Sequence, residues 1–109
     1  MSEIVNNEYL QTEASIVDVL KSIYDPEIPV NVYDLGLIYD IRLDEEKIAH
    51  VTMTLTAPNC PMAEMLYEEI KYKVAGTGGV KDCELTLTFD PPWDRSMMTD
   101  EAKLELGFL

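Results

Sequence analysis

The stretch Thr54-Leu55-Thr56-Ala57-Pro58-Asn59-Cys60-Pro61-Met62 decides the fold, because the hydrophobic period changes across it. Before it, Ile48 to Thr56 alternates. Ala49, Val51, Met53 and Leu55 share one face, and His50, Thr52, Thr54 and Thr56 share the other. A period of two is the signature of a half-buried strand. After it, Met62, Leu66, Ile70 and Val74 recur every four residues, which predicts a helix to about Ala75 that Gly76 ends. A strand therefore runs into a helix. Proline is favoured at the first helical position, so Cys60, just before Pro61, falls at the N-cap. A thiol there faces unpaired backbone N–H groups and the positive end of the helix dipole, and both favour thiolate. Nearby carboxylates act in the opposite sense.

Outward from this joint, Leu37 to Leu43 also alternates, with Leu37, Tyr39, Ile41 and Leu43 opposite Asp40 and Arg42. Four polar residues, Asp44 to Lys47, separate it from Ile48, so the two runs read as a β-hairpin. Val80 to Phe89 is a third strand, with Cys83, Leu85, Leu87 and Phe89 on its apolar face. Ile16, Val19, Leu20 and Ile23 predict a first helix from a Thr12 cap to near Tyr24, where Pro26 disfavours a helical Asp25. Residues 1–11 read as a flexible leader and 12–109 as a single domain. Asp25 to Gly36, with two prolines, is irregular. Pro91 and Pro92 end the third strand, and Thr99 caps a short last helix. The expected fold is α/β in the broad sense, an α+β two-layer arrangement. It has a small β-sheet of three or more strands with helices packed on one face.

Composition narrows the function classes. The chain has 109 residues, 47% of them apolar, which suits one globular domain. No apolar run approaches the roughly 20 residues of a membrane span. The N-terminal residues place no basic region ahead of an apolar block, so a cytoplasmic location is the default expectation. Eight Lys and Arg face 21 Asp and Glu, for a net charge of −13. Such a surface repels phosphates, so neither nucleic acid nor membrane is an expected partner. Two cysteines are too few for a disulfide framework or for a four-thiolate metal site within one chain.

Among candidate residues, Cys83 alternates with core positions and reads as packing. Cys60 lies outside any alternation and is either a structural cap or a reactive or metal-binding thiol. Thr54 and Thr56 approach its turn, on what reads as the exposed strand face, where their hydroxyls can line a pocket. His50 on that face reads as a solvated strand residue. Trp93 is an anchor over the sheet or a partner contact, with anchoring favoured. The glycines Gly76, Gly78 and Gly79 lack the Lys and Ser/Thr of a phosphate loop, and no serine elbow or paired-histidine helix is present.

Three segments together resemble a known family. Asp25-Pro26-Glu27 followed by Asp34-Leu35-Gly36-Leu37-Ile38 is similar to the D-P-E…D-L-G signature of the SufT/PaaD-like iron–sulfur cluster assembly family. Thr54 to Met62 is similar to its T-x-T-x-x-x-C-P turn, and Pro91-Pro92-Trp93 with Ala102 to Gly107 to its ending. The resemblance spans Ile16 to the C-terminus and sits closer to the SufT branch than to PaaD, which carries a cysteine-rich tail. It implies an accessory factor that helps mature client iron–sulfur proteins by handling a cluster or iron transiently. It implies a ligand or sulfur-reactive role for Cys60, and places Glu27, Asp34, Thr54 and Thr56 at the border of the same site. In that reading Asn59, Thr54 and Thr56 line the cargo, and Glu27 and Asp34 join Cys60 as candidate metal ligands. The implied partners are iron–sulfur assembly proteins and client apo-proteins. Open strand edges add a possible homodimer. Two other readings stand beside it: a thiol enzyme with Cys60 as nucleophile, and a non-catalytic adaptor acting through Trp93 and the acidic surface.

Overall fold

The two alternating runs form the hairpin that the rest of the chain is built on. The computed structural model describes residues 2–25, 28–56 and 63–108. In it, β1 (Ile38–Leu43) and β2 (Ile48–Met53) pair antiparallel. The turn between them is held by Asp44, whose Oδ1 accepts the N–H groups of Glu46 at 2.9 Å and Ile48 at 3.0 Å. Lys47 completes it in the left-handed region at φ +66°. Helix α2 (Ala63–Ala75) follows, and β3 (Asp82–Leu87) returns parallel to β2, giving the order β1-β2-β3. Parallel neighbours need such a crossover, and the helix supplies it.

Register sorts the side chains into two faces. Ile41, Val51 and Leu85 lie in one row, and Leu43, Ala49 and Cys83 in the next. Against the β2 and β3 members of these rows stand Ile16 and Leu20 of α1 (Ser2–Leu20) and Leu66, Ile70 and Val74 of α2, all buried in one core. Arg42, His50 and Glu84 form a row on the other face, as do Asp40, Thr52 and Thr86. The result is the two-layer α+β arrangement with helices on one face. Helix α3 (Asp100–Glu105) starts at Thr99, whose hydroxyl accepts the Ala102 N–H at 3.2 Å, as its sequence predicts.

Four expectations need correction. Helix α1 begins at Ser2 and ends at Leu20, so Thr12 lies inside it. The Thr12 side chain instead packs beneath Gly79: a Cβ built on that glycine, at φ +90°, would sit 2.6 Å from Thr12 Oγ1. Strand β2 stops at Met53, three residues before Thr56. The third strand is shorter than Val80 to Phe89, and Leu87 and Phe89, expected in the core, are 40% exposed, because the two residues lie at and beyond the last β2–β3 register pair, Met53 with Leu87. Finally, Thr54 is fully buried, although alternation puts it on the exposed face. A bulge between Ile38 and Asp40 shifts the β1–β2 register, and the 31–37 loop bonds alongside the hairpin end, with the Thr54 N–H donating to Leu37 O at 2.8 Å.

Candidate functional site

Cys60, Asn59 and Glu27 lie outside the described residues, so the candidate site is described through its surroundings. The described chain stops at Thr56 and resumes at Ala63, the first residue of α2. The turn thus joins the end of β2 to the start of α2.

The loop that borders Thr54 is braced from within. Asn31 Nδ2 donates to Asp34 Oδ2 at 2.8 Å, and the Asp34 N–H donates back to Asn31 Oδ1 at 2.8 Å. The Thr99 N–H donates to Asp34 O at 2.9 Å, which ties the start of α3 to the same loop. Trp93 closes the arrangement: its Nε1–H donates to Leu35 O at 2.7 Å and its ring packs against the core. The anchoring role expected of Trp93 is the one observed. Asp25, also in the signature, is buried and its Oδ1 accepts the Ile28 N–H at 3.0 Å.

The structure thus brings Thr54 and the Asp34–Leu37 loop together, through the Thr54–Leu37 bond. The Thr54 hydroxyl is the distinctive atom here. It is buried, and no hydrogen bond reaches Oγ1 among the described residues. Burial without a partner costs about 1–3 kcal/mol. Valine has the same shape without the hydroxyl. Thr54→Val is therefore expected to raise the unfolding free energy by about 1 kcal/mol in urea denaturation. A loss instead would mean that the hydroxyl bonds into the 57–62 segment. Alternation alone cannot reveal this group, because it assigns Thr54 to the wet face. Thr56, expected beside it, is half-buried in a bend.

The other titratable candidates are accounted for elsewhere. Burial, then the Asp82 carboxylate, pushes the Cys83 thiol up to about 11, so it is a packed, protonated core group as expected. His50 is not simply solvated. Its Nε2 lies 2.8 Å from Asp44 Oδ2 and its Nδ1 lies 3.3 Å from Glu84 Oε2. The hydrogen bond from His50, then that from the Ile48 N–H, holds the Asp44 carboxyl below its ordinary value. Sequence spacing missed this clamp, because its members meet only through the hairpin turn and the parallel register. The Asn31 brace of Asp34 carries no periodic signal either, since it is a bond across three residues of an irregular loop. Among the described residues no three His, Cys, Asp or Glu converge on a point suited to a metal ion. No helix among them is long and apolar enough to cross a membrane.

Comparison with known proteins bears on the same segments. The model of the family described as iron–sulfur cluster assembly protein matches residues 13–87. A Porphyromonas gingivalis protein named Fe-S protein maturation auxiliary factor is 56% identical over 96% of this chain and 100% of its own length. The Staphylococcus aureus Fe-S protein maturation auxiliary factor SufT is 35% identical over 78% of this chain and 97% of its own. The crystal structure of a domain of unknown function, DUF59, from Bacillus anthracis superposes with a TM-score of 0.85 at 32% identity, covering 93% of this chain and 96% of that one.

Proposed function

Because this chain belongs to the iron–sulfur cluster assembly protein family, we propose that it is an accessory factor in the maturation of client iron–sulfur proteins, holding a cluster or iron briefly as cargo at Cys60. The observation that carries the reading is the match, over nearly the whole of both chains, to a protein named as a maturation auxiliary factor. Cys60 enters through the family motif and its place before Pro61. Thiolate sulfur suits iron and its clusters, and carboxylates also ligate iron. Asp34 and Glu27 are the oxygen ligands of this reading, and Thr54, Thr56 and Asn59 line the cargo. The buried Thr54 hydroxyl, unpartnered among the described residues and six positions before Cys60 in the chain, supports it, since a donor kept at a cost in stability suits an oxygen or sulfur acceptor that arrives with the cargo.

One available thiolate per chain makes custody incomplete by construction. Cys83 is sealed in the core, so the remaining ligands come from outside: a second copy of Cys60, small thiols, or a partner protein. An incomplete ligand set suits a factor whose cargo must leave. The partners of this reading are iron–sulfur assembly proteins and client apo-proteins in the cytoplasm.

The competing readings have less support. A thiol enzyme needs a base near Cys60, and His50, the only histidine, has both ring nitrogens engaged by Asp44 and Glu84. An adaptor built on Trp93 needs that ring free, and its N–H is committed to Leu35 O. The test is anaerobic reconstitution with iron and sulfide counted per chain. Wild type is expected to retain both and Cys60→Ser to lose most of them. Equal loading of the two proteins would overturn custody at Cys60.

A further inference from the structure

The two free edges of the sheet differ in a way that selects a partner. On β3, register with β2 is parallel, so alternate residues turn both N–H and C=O outward. The outward groups are partly capped by side chains. The Cys83 N–H donates to Asp82 Oδ1 at 2.8 Å, and Leu85 O accepts the Tyr67 hydroxyl of α2 at 2.9 Å. A strand approaching this edge would also meet Asp82 and Glu84, which lie exposed on the outer face.

The β1 edge carries no such caps. The Asp44 N–H donates to Ile48 O at 3.1 Å, which fixes the phase of the hairpin ladder. Asp40 and Arg42 then turn their backbone groups toward β2, and Ile41 and Leu43 turn theirs outward. Among the described residues no hydrogen bond reaches those outward groups. The side chains of Ile41 and Leu43 are only half-buried, and an open groove lined by Tyr33, Ile38 and Tyr39 runs beside Ile41. Asp40 and Arg42 are both exposed and flank Ile41.

We propose that β1 pairs antiparallel with β1 of a second copy of this chain, about a two-fold axis at Ile41, so that two three-stranded sheets become one. The charges specify that register. Centred on Ile41, each Asp40 lies opposite the Arg42 of the other copy, in the non-hydrogen-bonded position where side chains approach most closely. Centring on Asp40 or on Arg42 would set like charges face to face. Centring on Leu43 would set Arg42 against Asp44, whose oxygens already serve Glu46, Ile48 and His50. An isologous pair demands such self-complementarity, and β1 has it whereas β3 has only acids. This inference stands whether or not Cys60 carries cargo.

Sedimentation equilibrium on the full chain, near 0.15 M salt to screen the repulsion between two chains of charge −13, tests it. Wild type is expected to show a reversible dimer of twice 12.4 kDa. Asp40→Arg and Arg42→Asp are each expected to weaken the dimer at least tenfold, by placing like charges opposite. The double variant D40R/R42D is expected to recover wild-type affinity, and a mixture of the two single variants to form a heterodimer. These residues are exposed, and circular dichroism verifies that each variant is folded. A chain that stays monomeric at all concentrations, as it would if β1 served a strand from another protein, overturns the proposal. So does a dimer indifferent to the single variants, or a double variant as weak as either single.

Discussion

Gly36→Ala is expected to lower the unfolding free energy by roughly 3–5 kcal/mol, a large part of the stability of a domain this size. Two effects add. Gly36 sits at φ +81°, where an alanine is strained by about 1–2 kcal/mol. A Cβ there would also lie 2.3 Å from the carbonyl oxygen of Met97 and 2.8 Å from its carbonyl carbon. Both atoms belong to backbone, so the contact is relieved only by pushing the 95–98 segment off the 31–37 loop. That motion pulls on Trp93 and on the Thr99 N–H bond to Asp34, so the damage spreads into the loop beside the candidate site. Urea denaturation followed by the fluorescence of Trp93, the only tryptophan, measures it. Gly78→Ala is the control. Nothing lies within 4 Å of its Cβ position, and a change under about 0.5 kcal/mol is expected.

Trp93→Ala is expected to cost about 2–4 kcal/mol, somewhat less than for a fully buried aromatic because the ring is only partly covered. The loss combines the apolar area of the indole with the hydrogen bond it donates to Leu35 O. Trp93→Phe separates the two: it keeps most of the area and gives up the bond, for about 1 kcal/mol. Far-UV circular dichroism is the readout, since the fluorophore is gone. Unchanged stability in Trp93→Ala would mean that the residue is a surface contact, as the adaptor reading requires.

The sequence conveyed most where period and burial coincide. Ile48 to Met53, Leu66 to Val74 and the Thr99 cap were legible because each has a repeat or a cap with a single structural solution. Thr54 was not legible, because its burial depends on the 31–37 loop closing over the hairpin end, a contact between segments about twenty residues apart. The anchoring of Trp93 was legible, but its acceptor was not, because Leu35 O lies 58 residues away. The start of α1 was missed because Glu3, Asn6, Asn7 and Glu8 give no clear apolar stripe, while the backbone is helical nonetheless. Within the candidate site, motif resemblance singled out Cys60, Asn59, Glu27 and Asp34. The structure adds a physical feature only for the described neighbours: an orphan hydroxyl at Thr54 and a braced Asp34.

The capped edge of β3 bears on how far association can go. A sheet with two open edges has no natural end, since each added chain offers a fresh edge, and the product is a growing fibril. Here Tyr67 and the Asp82 carboxylate already occupy backbone groups on one side. If β1 pairs as proposed, the edges left on the pair among the described residues are the two partly capped, acidic ones. Those edges disfavour a further strand, so the pair is expected to end association and not to seed polymerisation.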